Sequence, residues 1–206
     1  METISSNRPK IVVIGSCNTD MVVKANRLPV PGETILGGTF YMNPGGKGAN
    51  QAIAAARLGA EVTFISKIGY DLFGLQALEI YRSEKINTEF IFTDQKSPSG
   101  VALISVDSFG ENSIIVAPGA SRSLSTEDIN KAEEKIKEAD IILMQLEVPI
   151  DTVEYAATIA NRYGKKIILN PAPASTLSNS FLNNVHTILP VSYTHLTLPR
   201  IRRCRS

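Results

Sequence analysis

Apolar positions along this chain change period repeatedly. A short continuous apolar run stands at 10–14 (KIVVI), and largely apolar, strand-like segments at 61–68 (EVTFISKI), 141–146 (IILMQL) and 166–169 (KIIL). Such runs predict strands buried on both faces, as in parallel sheets. Between them the spacing lengthens. Residues 50–58 predict a small-residue helix stopped by Gly59, and 71–83 place Leu72, Leu75, Leu78 and Ile80 near helical spacing. Ser125, with Asp128 three residues on, predicts the cap of a helix whose inner face is Ile129, Ala132 and Ile136. Asp151 predicts the cap of another, with Val153, Ala156, Ile159 and Ala160 inward and Gly164 at its end. Further strands are predicted at 88–92, 100–106 and 113–117. Strands alternating with helices predict an α/β fold, a mainly parallel sheet with helices on both faces. Segment 20–40 departs from this. Its β-branched residues are interrupted by Pro29, Pro31 and Gly37-Gly38, which predicts short antiparallel strands off the main sheet, as a flap.

Composition narrows the class. The 206 residues are 43% hydrophobic and 20% charged with a net charge of +1, the profile of an ordinary globular protein. That balance gives no reason to expect nucleic acid or a membrane as partner. Two cysteines, Cys17 and Cys204, make no disulfide framework and fit a reducing compartment. The first ten residues have no apolar core of a secretory signal, so the expected location is cytoplasmic.

The chemistry concentrates at one expected edge. Gly45-Gly46-Lys47-Gly48-Ala49-Asn50 precedes and opens a helix, where main-chain N–H groups and the helix dipole can grip polar or anionic groups of a small molecule. The run lacks P-loop spacing and dinucleotide-fold spacing. Asn18 and Asp20 follow the first strand, Glu147 follows IILMQL, and Asn170 ends KIIL. Ligands of open α/β sheets bind beyond the carboxyl ends of strands, so these residues are expected to share one site. Cys17 reads as a small buried apolar residue, and His186 and His195 stand alone without a metal or acid–base role.

These motifs resemble the ribokinase/PfkB-like sugar kinase family over residues 10 to about 190. GGKGANQA is followed by six residues, Gly59, nine residues and Gly69, the family's first signature. GSCNTD (15–20), PGET (31–34), SGVALI (99–104), MQLE (144–147) and NPAPA (170–174) match its ribokinase branch more than its adenosine-kinase or fructokinase branches. The resemblance implies a doubly wound sheet with a small β lid, to which 20–40 contribute, and pairing of two subunits through that lid. It implies ATP-dependent phosphorylation of D-ribose at its 5-hydroxyl, with Mg²⁺ and a monovalent cation such as K⁺. Asn18 and Asp20 would hold ribose hydroxyls, with Thr19 inside the same motif. The main chain of Gly46, Lys47 and Gly48, with Ala49 and Asn50, would bind the sugar at the helix start, and Glu147 would accept another hydroxyl.

The chain also departs from that pattern. Val191 and Thr194 stand where the family has N-x-x-E, associated with magnesium and phosphate. The second signature, D-T-x-G-A-G-D, which carries the catalytic base and the anion hole, does not occur. Ser121 stands where asparagine is commoner. Residues 191–206 hold four arginines and no acid, leaving 17 Lys and Arg against 20 Asp and Glu, a net charge of −3, for 1–190. This tail reads as foreign to the fold, although a basic arm for nucleic acid is the alternative. The expectation is the sugar-binding portion of such a kinase, with the C-terminal part of the fold missing and no turnover by the chain as written. A non-catalytic sugar-binding or regulatory module, or a kinase of adenosine, fructose or 2-keto-3-deoxygluconate, are the alternatives.

Overall fold

In the computed structural model, residues 8–190 are described. The first unbroken apolar run is strand β1 (Lys10–Ile14). Its residues alternate between two cores, which is why no polar position interrupts it. Val12 and Ile14 enter one apolar cluster and Val13 the other. Two strands then leave the main sheet, β2 (Asn18–Lys24) and β3 (Thr39–Gly45), before helix α1 (Lys47–Arg57) returns the chain to it. Strand β4 (Glu61–Gly69), helix α2 (Leu72–Ser83) and strand β5 (Ile91–Asp94) complete this half. Strands β6 (Gly100–Val106) and β7 (Asn112–Ala117) leave the main sheet again, and a short 3-10 turn (Gly119–Ser123) brings the chain back. Helices α3 (Thr126–Lys131) and α4 (Glu133–Glu138), strand β8 (Ile141–Met144), helix α5 (Ile150–Arg162), strand β9 (Lys166–Leu169), helix α6 (Asn179–Asn184) and strand β10 (Thr187–Ile188) follow.

The main sheet has six strands in the order β10-β9-β8-β1-β4-β5, parallel throughout. Helices α1 and α2 cover one face through Ala49, Ala52, Ala77 and Tyr81. Helices α3 to α6 cover the other through Ile129, Ile136, Val153, Ile159 and Phe181. The winding reverses at β1, which has β4 on one side and β8 on the other. The segments after β1 and β8 therefore diverge and leave a crevice.

A second sheet stands off the first in the order β3-β2-β6-β7. The flap expected at 20–40 is thus only half of it. Strand β6 lies parallel to β2, and β7 lies antiparallel to β6. The long stretch between β2 and β3 forms no strand of its own.

Some expected boundaries move. Helix α1 begins at Lys47, three residues before the expected start, with Gly46 as N-cap at φ 92°. The expected helix through Ile129 and Ile136 breaks at Ala132 into α3 and α4. Ser125 does form a reciprocal capping box with Asp128. Asp151 is not a cap: Pro149 takes that position, without a side-chain cap, and Asp151 lies in the first turn of α5. The expected strand at 88–92 is displaced to Ile91–Asp94. The expected tail at 191–206 lies outside the described residues.

Candidate functional site

Beyond β1 the chain runs Gly15-Ser16-Cys17 and turns directly into the lid at Asn18. Beyond β8 it runs Gln145-Leu146-Glu147. Helix α1 enters the crevice between them. Close approach here requires glycine on both sides: a Cβ on Gly48 would lie 2.7 Å from the backbone carbonyl carbon of Gly15 and from backbone atoms of Ser16. The Ala49 N–H donates to the Ser16 carbonyl at 3.0 Å and ties the helix start to this loop.

Glu147 sits at that helix start. Its Oε2 accepts the Lys47 N–H at 2.9 Å and the Ser16 hydroxyl at 2.5 Å, and its Oε1 accepts the Lys47 ammonium at 2.6 Å. A helix N-terminus attracts an anion, and here the protein supplies its own. The slot the glycine run offered to a phosphate is filled by a carboxylate. Two of the amides expected to grip ligand, those of Lys47 and Ala49, are engaged within the protein.

Asp20 and Asn18 approach from the lid. Successive strand residues point to opposite faces. Asn18, Asp20 and Val22 therefore share one face of β2, and the register places Gly100, Ala102 and Ile104 beside them on β6. Asp20 packs over Gly45, whose missing side chain makes the room. Asn18 is buried, beside Gly100, and its Oδ1 has no hydrogen-bond partner. An unmet buried acceptor costs about 1–3 kcal/mol, so a donor brought by a ligand is favoured there. Asn170, at the end of β9, has an unmet Oδ1 of the same kind. Thr19 points to the other face, and with Asn18, Met42, Asn43, Pro44 and residues of α2 it lines a cleft of about 420 Å³. Asn50 is exposed one turn after Lys47.

The two carboxylates titrate in opposite directions. Burial pushes Asp20 above its ordinary 3.8, and the nearby Glu147 charge adds to this against the opposing Lys47. Burial also pushes Glu147 up, but its bonds from Lys47 and Ser16 outweigh that and hold it below its ordinary 4.5. The signs follow from which state binds the proton more tightly. Glu147 contributes stability that is present above 4.5 and lost as pH falls through its lowered folded value. For Asp20 the contribution is present below 3.8 and lost as pH rises through its raised value. On acidification, carboxyl carbon NMR shifts are expected to give Asp20 a midpoint above its ordinary 3.8 and Glu147 a midpoint below its ordinary 4.5. A lowered Asp20 or a raised Glu147 would refute this electrostatic picture.

The sequence did not single out Ser16 as a partner of Glu147, although it lies inside the quoted GSCNTD. Nor did it assign Val22, Ala102 and Ile104 to the Asp20 face. SGVALI signalled a strand, but which residues face the site depends on the register with β2, a pairing between residues about eighty positions apart.

The pattern of the pfkB family carbohydrate kinases matches residues 8–194. The chain belongs to that family. Ribokinase of Haemophilus influenzae is 44% identical over 183 residues, 89% of this chain and 60% of that protein. Deoxyribokinase of Salmonella typhi is 41% identical over 164 residues, 80% of this chain and 54% of that protein. The structure of Arabidopsis thaliana ribokinase complexed with ribose and ATP superposes with a TM-score of 0.76 at 31% identity, covering 89% of this chain and 60% of that one. The pfkB-family chain thus spans little more than half the length of these relatives. Its six-stranded parallel sheet with helices on both faces is the ribokinase-like α/β fold.

Proposed function

We propose that the site between the lid and the carboxyl ends of β1 and β8 binds D-ribose, and that the kinase to which this portion belongs transfers a phosphoryl group from ATP to the sugar's 5-hydroxyl. The observation that carries the reading is the unmet buried Oδ1 of Asn18, on one lid face with Asp20, whose carboxyl is close enough to Glu147 to feel its charge. A sugar offers only hydroxyls, so its site needs acceptors of fixed geometry. Asn18 and Asp20 provide them. Glu147 fixes α1 and Lys47, and retains acceptor capacity on Oε1. Val22, Ala102 and Ile104 form the apolar side of the lid face and limit water at the sugar.

Bound ATP would supply the phosphoryl group and Mg²⁺ would neutralise charge as it transfers, and none of the described residues is assigned to hold either. A monovalent cation belongs to the same proposed set. The residues described orient the acceptor sugar. The catalytic base and the donors around the transferred phosphate are assigned to none of them. We therefore expect the 206-residue chain alone to release no ADP on addition of ribose. A coupled ADP-release assay checks this, and sugar-dependent turnover above a buffer control would contradict it. The identity to a deoxyribokinase favours 2-deoxyribose as a second reading, so both sugars belong in the binding comparison. We place residues 1–190 in one ribokinase-like unit, with 191–206 outside it, and the protein in the cytoplasm. No helix among the described residues is long and apolar enough to cross a membrane.

The outer lid face supports a homodimer. Val23, Phe40, Met42, Leu103 and Ile115 are exposed on it, and the register groups them on one side of the sheet. An apolar strand face of this kind favours a second copy. Sedimentation is expected to give a dimer for the wild type and a monomer for Leu103→Glu. A monomeric wild type would overturn this part of the proposal.

A further inference from the structure

We propose that Ser121 is a positioning residue for sugar binding: from the root of the lid it fixes the backbone that carries Asn18. The inference rests on the sugar-site reading and deepens it. Ser121 lies in the 3-10 turn after β7 and is fully buried. Its Oγ accepts the Cys17 N–H at 3.3 Å and donates to the Cys17 carbonyl at 3.3 Å. One hydroxyl thus meets both backbone polar groups of one residue. The Cys17 side chain is held separately, its Sγ 2.9 Å from the Tyr81 hydroxyl on α2.

Cys17 stands between two residues of the site. Ser16 donates to Glu147, and Asn18 carries the unmet acceptor. The turn that holds Ser121 follows β7 directly and is bonded to the other stem of the lid. The Ala120 N–H donates to the Pro98 carbonyl at 2.8 Å, just before β6, while the Ser121 N–H closes the turn on the Pro118 carbonyl at 3.2 Å. Movement of the lid root must therefore disturb Cys17, and with it the orientation of Asn18. The clamp needs a side chain that both donates and accepts. Serine and asparagine satisfy that requirement. Alanine satisfies neither half and leaves a buried N–H and C=O unmet.

Amide exchange by NMR and D-ribose titration by calorimetry, on the 206-residue chain and its variants, test the proposal. In Ser121→Ala, exchange at Cys17 and Asn18 is expected to rise roughly tenfold, and D-ribose affinity to fall roughly tenfold, as for loss of a buried hydrogen bond. Exchange at Ile65, in central strand β4, should not change. Ser121→Asn should restore both quantities. Unchanged exchange at Cys17 overturns the clamp. Faster exchange with unchanged ribose affinity overturns the positioning role and leaves the sugar site standing. A wild type that takes up no ribose overturns the sugar reading, and Ser121's role with it. If Ser121→Ala does not fold, Ser121→Cys keeps the volume with a weaker hydrogen-bonding group, and the same comparisons decide.

Discussion

Gly48→Ala is expected to destabilise the fold by about 1–3 kcal/mol and to abolish sugar binding, the range for overpacking a closely packed contact. The added methyl meets three backbone atoms of one loop, 2.7 Å from the carbonyl carbon of Gly15 and from N and O of Ser16. Backbone cannot rotate away as a side chain can. Helix α1 must therefore withdraw from the loop after β1. Withdrawal lengthens the bond from the Ala49 N–H to Ser16 and those from Lys47 to Glu147. Both halves of the site loosen together. Urea unfolding measures the first effect and ribose calorimetry the second. Wild-type stability with wild-type affinity would show that the close approach is unimportant.

Much of the main sheet was legible because its strands are buried on both sides. KIVVI, EVTFISKI, IILMQL and KIIL are short and rich in β-branched and apolar residues, which favours strands over helices. The lid was only half legible. Strands β2 and β3 pair antiparallel with each other, but β2 also pairs with β6, far along the sequence, and no local signal announces that partner. Helix α1 starts early for a related reason. Glycine is a poor helix former, so Gly48 argued for a loop. The Glu147 carboxylate on the Lys47 N–H and the packing of Gly48 on the loop after β1 outweigh that propensity. At Asp151 the local signal was present but Pro149, two residues earlier, set the helix start.

The candidate site was legible as a set and less so as individual roles. Asn18, Asp20 and Glu147 all come to the edge that strand ends predict. Glu147, expected as a ligand acceptor, also accepts the first N–H of α1, because a helix N-terminus stabilises a carboxylate placed against it. This explains why the glycine run reads as a phosphate cradle in isolation: the anion that completes it lies one hundred residues away.

The second large effect is expected at Asp20. Asp20→Asn keeps the shape and removes the charge. A hydrogen bond to a charged group contributes about 1.5–3 kcal/mol, so weakening those to sugar hydroxyls should lower ribose affinity roughly 100-fold. The fold should not suffer. The carboxyl is held above its ordinary 3.8 by burial and by Glu147, so neutralising it removes an unfavourable charge. A loss of binding without a loss of stability is the pattern that separates a ligand-binding residue from a structural one.

Calorimetric titration of the chain with D-ribose, beside Asp20→Asn and with 2-deoxyribose as comparison, tests the account most directly. Saturable heat at millimolar sugar or below for the wild type, and none over that range for Asp20→Asn, is the result the account predicts. No heat from the wild type at millimolar D-ribose, or equal heats from both proteins, would contradict it.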